Sequence, residues 1–134
     1  MMLNGALAGL VAITAEPLTP GPITAMFIGS IGAVIMYFGT KMLESYGLDD
    51  VVGAIPVHMF AGIFGTLIVP LTNSDTSFGT QFIGTASVCL FSFGLSWITF
   101  TILKSTIGLR ISKAAEKLGT DKAEVGVTAY SIRD

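Results

Sequence analysis

Apolar residues in this chain fall into four long runs, at about residues 1–15, 23–43, 51–69 and 81–103, separated by short polar stretches. Three of the runs approach the roughly 20 residues that a helix needs to cross a hydrocarbon core, at a rise of about 1.5 Å per residue. The first is shorter, and is expected to be part of a longer helix. EPLTPGP at 16–22 is a turn, because three prolines and a glycine stop helix propagation and favour turn geometry. Gly47 is expected to close the second helix, and Leu48 to Asp50 lead into the third. PLTNSDTSFGT, from Pro70 to Thr80, reads as an exposed loop with Asp75 as its one charge. The pattern predicts an all-α, polytopic membrane protein with four transmembrane helices in residues 1–110 and a polar tail over 111–134. Within the tail, Ser112 is expected to cap a short helix that runs to Leu118 and stops at Gly119.

Two of the runs carry small residues at four-residue steps: Gly5 and Gly9 with Ala8 and Ala12 beside them, then Ala25, Gly29 and Ala33. Such faces let membrane helices pack backbone to backbone. The aromatic residues of the fourth run, Phe82, Phe91, Phe93, Trp97 and Phe100, are expected to face lipid or pack on helices, and carry no chemistry.

Composition supports the membrane reading, since 51% of the residues are hydrophobic and only 12% charged. A net charge of −2 gives no reason to expect a nucleic-acid partner. Cys89 is the sole cysteine and cannot form an intramolecular disulfide. The first residues lack a basic segment and a cleavage site, so no signal peptide is expected. The cations matter through position. Lys41 lies before the second polar stretch, while Lys104, Arg110, Lys113, Lys117, Lys122 and Arg133 lie at or beyond the end of the fourth run, and the first and third loops hold no Lys or Arg. The positive-inside rule therefore places the tail and the Asp49-Asp50 turn in the cytoplasm, and EPLTPGP and PLTNSDTSFGT outside.

The chain's only histidine, His58, stands in the third run, where no Lys, Arg, Asp or Glu occurs between Val51 and Val69. An ionisable side chain within a membrane span is costly and marks a candidate functional position. It also has a plain structural use, as an interhelical hydrogen-bonding group. On ideal helical spacing His58 shares a smooth stripe with Ala54, Ala61, Gly62 and Gly65. Pro56 cannot donate to the carbonyl of Val52, and is expected to kink the helix just before the histidine. Asp50 is expected to cap that helix, where the dipole favours a carboxylate. No nucleophile and base pair, metal-ligand spacing or phosphate loop appears, so neither an enzyme nor a cofactor or metal site is expected.

The segment DDVVGAIPVHMFAGIFGT, Asp49 to Thr66, resembles the tenth-helix motif of the ammonium transporter family. NGALAGLVAITA, Asn4 to Ala15, resembles that family's eighth helix, and TIGLRIS, Thr106 to Ser112, the start of its cytoplasmic tail. Order and spacing fit as well, so the likeness covers nearly the whole chain. It implies the last four helices of an eleven-helix fold that assembles as a homotrimer in the plasma membrane and passes ammonium or ammonia through each subunit. It further implies that His58 is one of two pore histidines, that Ala54 is a small pore-lining residue, and that Asp50 stands at the helix entrance. Met59 and Pro56 depart from the family pattern beside the histidine, as do Val125 and Val127 in the tail. Through Gly119, Asp121, Gly126, Ala129 and Tyr130 the tail resembles one that recruits a PII-type signalling protein. The alternative is a membrane domain that senses ammonium and signals through the tail. Histidine suits a conduit, because a desolvated imidazole favours its neutral form, which offers one donor and one acceptor.

Overall fold

The computed structural model describes residues 1–128, so Ala129, Tyr130 and Arg133 lie outside the described residues. The elements are α1 (Met2–Thr14), α2 (Pro22–Ser45), α3 (Ala61–Ile68), α4 (Phe78–Thr106) and α5 (Lys113–Leu118). A wide π-type turn, Ile55–Phe60, leads into α3, and a tight turn, Val69–Leu71, leaves it, so helical backbone is continuous from Ile55 to Leu71. No strand occurs among the described residues, which agrees with the all-α class expected from the sequence. By length and composition α2 and α4 can each cross a membrane, whereas α1 and the stretch Ile55–Leu71 are shorter apolar helices.

The chain divides into two compact units, Met1–Phe91 and the residues from Ser92 onward. In the first unit, α1 and the 55–71 stretch run parallel to each other, and α2 runs antiparallel to both. Small residues set how closely they approach. A Cβ built on Gly9 would lie 3.0 Å from the carbonyl oxygen of Gly29, and one on Gly32 would lie 2.6 Å from the Ala12 Cβ. A Cβ on Gly65 would collide with the backbone of Ala12, and one on Gly39 with the ring of Phe60. Where the obstacle is backbone, the helices themselves must separate, and overpacking of this kind costs about 1–3 kcal/mol. The GxxxG of α1 thus meets α2, while Val11 and Ala12 beside it meet α3. Gly32 and Gly39 share the load on α2 with Gly29, although the sequence pattern singled out only Ala25, Gly29 and Ala33. Ala8, Met36, Val57 and Ala61 form a buried cluster between the three helices, with Val11 packed against it.

The helix ends follow local chemistry. Gly47, at φ +68°, closes α2, with the Leu48 amide donating to the Leu43 carbonyl at 3.0 Å. In the second unit, Ser112 caps α5 by accepting from the Ala115 amide at 3.2 Å, and Gly119 ends it at φ +98°. Helix α4 buries none of its residues within this chain, so its aromatic side chains remain exposed.

The first and third loops meet at one end of the first unit, where Asn73 Nδ2 donates to Glu16 Oε2 at 2.8 Å. The Asn73 amide holds the Glu16 carboxyl below its ordinary value of 4.5, against a smaller opposing effect of desolvation and with backbone bonding near Leu18 assisting. A depressed carboxyl pKa means that the contact is fully present above the ordinary value and is lost as pH falls through the depressed one. A spin label at Ser74, on a Cys89→Ala background, is expected to gain mobility as pH falls through that range, and Glu16→Gln to abolish the pH response. Equal mobility of both proteins at every pH would remove the clamp.

Candidate functional site

The entrance to the His58 helix is built from an accounting of backbone groups, because the first amides of a helix have no partner within it. Asp50 accepts from two of them at once: the Ala54 amide donates to Oδ1 at 2.9 Å and the Ile55 amide to Oδ2 at 2.7 Å. Pro56 has no amide hydrogen, and the Val57 amide donates to the Gly53 carbonyl at 3.1 Å. The proline leaves the Val52 carbonyl without its helical donor. That group is met from another helix, since Asn4 Nδ2 of α1 donates to Val52 O at 3.0 Å. Gly53 makes room for the contact: it sits at φ +74°, and a Cβ there would lie 2.5 Å from Asn4 Nδ2.

The wide turn then sets where His58 points. The Ala61 amide donates to the Pro56 carbonyl five residues back, which places one more residue in the turn than an α-helix holds. An extra residue shifts the helical phase by about 100°. Buried positions therefore recur every four residues, at Gly53, Val57, Ala61, Gly65 and Val69. The stripe expected from ideal spacing is divided: Ala61 and Gly65 pack inward, while Ala54 and His58 lie on the neighbouring exposed face. Val57 is only 2% exposed and Pro56 is fully buried, so the residues before His58 are held from inside and its side chain is turned outward. The ring of Phe60 and that of Pro56 seat against Gly39 of α2. Both neighbouring helices thus grip the turn.

The His58 imidazole has no hydrogen-bond partner among the described residues, and Met59 beside it is 49% exposed. Two turns on, Thr66 donates to the Gly62 carbonyl at 2.9 Å, which satisfies its hydroxyl hydrogen within its own helix. A recess of about 230 Å³ opens at the helix entrance, lined by Thr40, Glu44, Asp49, Asp50 and Pro56 among others. Among the described residues no group of three or more His, Cys, Asp or Glu side chains is placed to hold a metal ion. The chemistry on offer is one imidazole with both nitrogens free, carried on an apolar surface.

Sequence reasoning named Asp50, Ala54 and His58; it missed Asn4 as the partner of Val52. The missing proline amide was the available signal, because an unfilled carbonyl calls for a donor from elsewhere. Asp50→Ala is expected to destabilise the folded protein by about 0.5–2 kcal/mol, as for loss of a helix cap, with Asp50→Asn costing less because one acceptor oxygen remains. Thermal denaturation of the two variants checks the order, and equal midpoints for Asp50→Ala and the unchanged protein would deny the cap a stabilising role.

The sequence model of the Ammonium Transporter Family matches residues 1–130. Ammonium transporter Amt2 of Archaeoglobus fulgidus is 38% identical, the alignment covering 97% of this chain and 32% of that protein. Amt2 of Methanocaldococcus jannaschii is 35% identical over 95% of this chain and 32% of its own length. An ammonium transporter of Corynebacterium glutamicum is 33% identical over 96% of this chain and 32% of its own. The chain spans about a quarter to a third of the length of the curated relatives it matches. With the match extending from the first residue through the His58 helix into the tail, the chain belongs to the ammonium transporter family, a family of membrane transporters and not of enzymes.

Proposed function

We propose that this chain is the C-terminal portion of an ammonium transporter, contributing four membrane crossings at about 1–15, 23–43, 51–69 and 81–103, and that His58 lines the path by which ammonium or ammonia crosses. The observation that carries the reading is the placement of His58. The Val52 carbonyl and the Ala54 and Ile55 amides before it are met and Pro56 and Val57 are buried, yet the imidazole is turned onto an open face with no hydrogen-bond partner among the described residues. A histidine serving as interhelical glue within this bundle would have been turned inward, as Val57 is.

In this reading ammonium gives one proton to water at the mouth of the path, and the ammonia left behind sheds its hydration and passes between apolar walls while the imidazole donates to it or accepts from it. Ala54 leaves space one turn before the histidine, and Asp50 fixes the helix entrance. A path at a midplane interface needs a second wall, as transporter sites commonly lie between structural repeats. That wall belongs to the remainder of the subunit. The distribution of Lys and Arg supports a cytoplasmic tail over 111–134 in a plasma-membrane protein. A homotrimer and a PII-type partner at the tail rest on the family likeness alone, and the sensing alternative would use the same tail for output.

In the subunit that contains this chain, His58→Ala is expected to change ammonium and methylammonium flux per folded molecule strongly while leaving the thermal midpoint nearly in place. A structural histidine would do the reverse, with normal flux and a loss of about 0.6–2 kcal/mol for an interhelical hydrogen bond. The measurement is flux in proteoliposomes normalised to folded protein, beside a denaturation curve. For the topology, a cysteine at Ser112 on a Cys89→Ala background is expected to resist an impermeant reagent applied outside intact cells, and labelling there would reverse the orientation.

A further inference from the structure

We propose that Asn4 is a positioning residue for His58, acting through the Val52 carbonyl. The inference rests on the conduction reading and adds to it a second helix on which the histidine's placement depends. Proline at position 56 removes the amide that would bond Val52 O, and the next amide, that of Val57, is committed to Gly53 O. Among the described residues, that carbonyl accepts from Asn4 Nδ2, at 3.0 Å, from the start of α1. Gly53 is shaped around it, with a left-handed φ of +74° and no room for a Cβ beside the amide. The contact lies just before the wide turn, and six residues before His58.

Its role is placement more than stability. Val52 is 72% exposed, so water at this edge can satisfy the carbonyl when the amide is removed. Water would not tie α1 to the turn. Further along, small residues hold the two helices together: Val11 lies near Gly62, and Ala12 against Gly65. At the entrance this hydrogen bond holds the same register. Without it, the turn keeps its apolar packing, Val57 and Ala61 against Ala8 and Pro56 and Phe60 against Gly39, but loses the directional contact that sets its rotation at the entrance, and the face bearing His58 shifts.

The experiment uses the subunit that contains this chain, with flux of ammonium and of methylammonium in proteoliposomes, their ratio, and the thermal midpoint. Asn4→Ala and the near-isosteric Asn4→Asp, which lacks the amide donor, are each expected to lower flux per folded molecule by roughly tenfold to a hundredfold, the scale of a misplacement of about 1 Å. Both should shift the methylammonium-to-ammonium ratio with little change in midpoint, and Asn4→Gln, which keeps a donor, should recover much of the flux. Pro56→Ala restores a backbone amide facing Val52 O, so Asn4→Ala made in that background should cost less than about a tenth of the fold-change that it costs alone. An equal cost in both backgrounds, or unchanged flux and ratio in Asn4→Asp, overturns the proposal; the Asp arm decides it if Pro56→Ala does not fold or does not itself conduct. His58→Ala measured in parallel separates the two readings. Flux that survives His58→Ala overturns the conduction reading and this inference with it, whereas flux that requires His58 and is indifferent to Asn4 overturns this inference only.

Discussion

A proline inside a helix removes a donor that the backbone was built to use, and the first unit of this chain is arranged around that deficit. Pro56 frees the Val52 carbonyl, disfavours a regular first turn, and lies in a stretch of six residues, Ile55–Phe60, that is wound more widely before α3 begins. Three separate features meet the consequences. Asp50 takes the two amides before the proline, Asn4 takes the carbonyl, and Gly39 of α2 receives the pyrrolidine and the ring of Phe60. Each acts on a different side of the same turn, so the turn is fixed in rotation as well as in place.

Close backbone approach makes that arrangement attainable. Three helices offering almost no bulky side chains to one another, at Gly9, Gly29, Gly32 and Gly65, bring their axes near enough for one asparagine to span from α1 to the entrance of the third helix. With leucines at those positions the same amide would fall short. Thin packing has a cost in area, since the buried core is little more than Ala8, Met36, Val57 and Ala61 with a few neighbours. In water such a core would be meagre for the exposed apolar surface it carries, but in a bilayer helix association depends on van der Waals contact and hydrogen bonding instead.

Much of this was legible in the sequence because it depends on residue type at short range. Proline and glycine mark the turn at 16–22, Gly47 and Gly119 mark helix ends, Ser112 marks a cap, and the absence of charge from Val51 to Val69 marks a buried or membrane helix. What the sequence concealed was phase. At 3.6 residues per turn His58 groups with Ala61 and Gly65, and only the wide turn separates them, placing Ala61 and Gly65 against α1 and leaving His58 with Ala54 outside. The Asn4 contact was hidden for a related reason, since it joins residues 48 apart and has no local pattern. That apolar helices stand near residues 1–15 and 51–69 could be read from the hydrophobic runs, but not which of their faces would be left open.

That open face is where packing and chemistry diverge. A bundle optimised only for its own contacts would turn its one imidazole toward a partner on α1 or α2. Here the inward positions of the third helix are Gly53, Val57, Ala61 and Gly65, none of them able to hydrogen-bond through a side chain, while the imidazole and a small alanine one turn before it are presented outward. An imidazole left without a partner on an apolar surface is costly in lipid, and in the conduction reading proposed above it would supply a donor and an acceptor where the walls supply neither. The proline turn is the device that produces this placement: it rotates the histidine out of the packed stripe without breaking the helix that carries it.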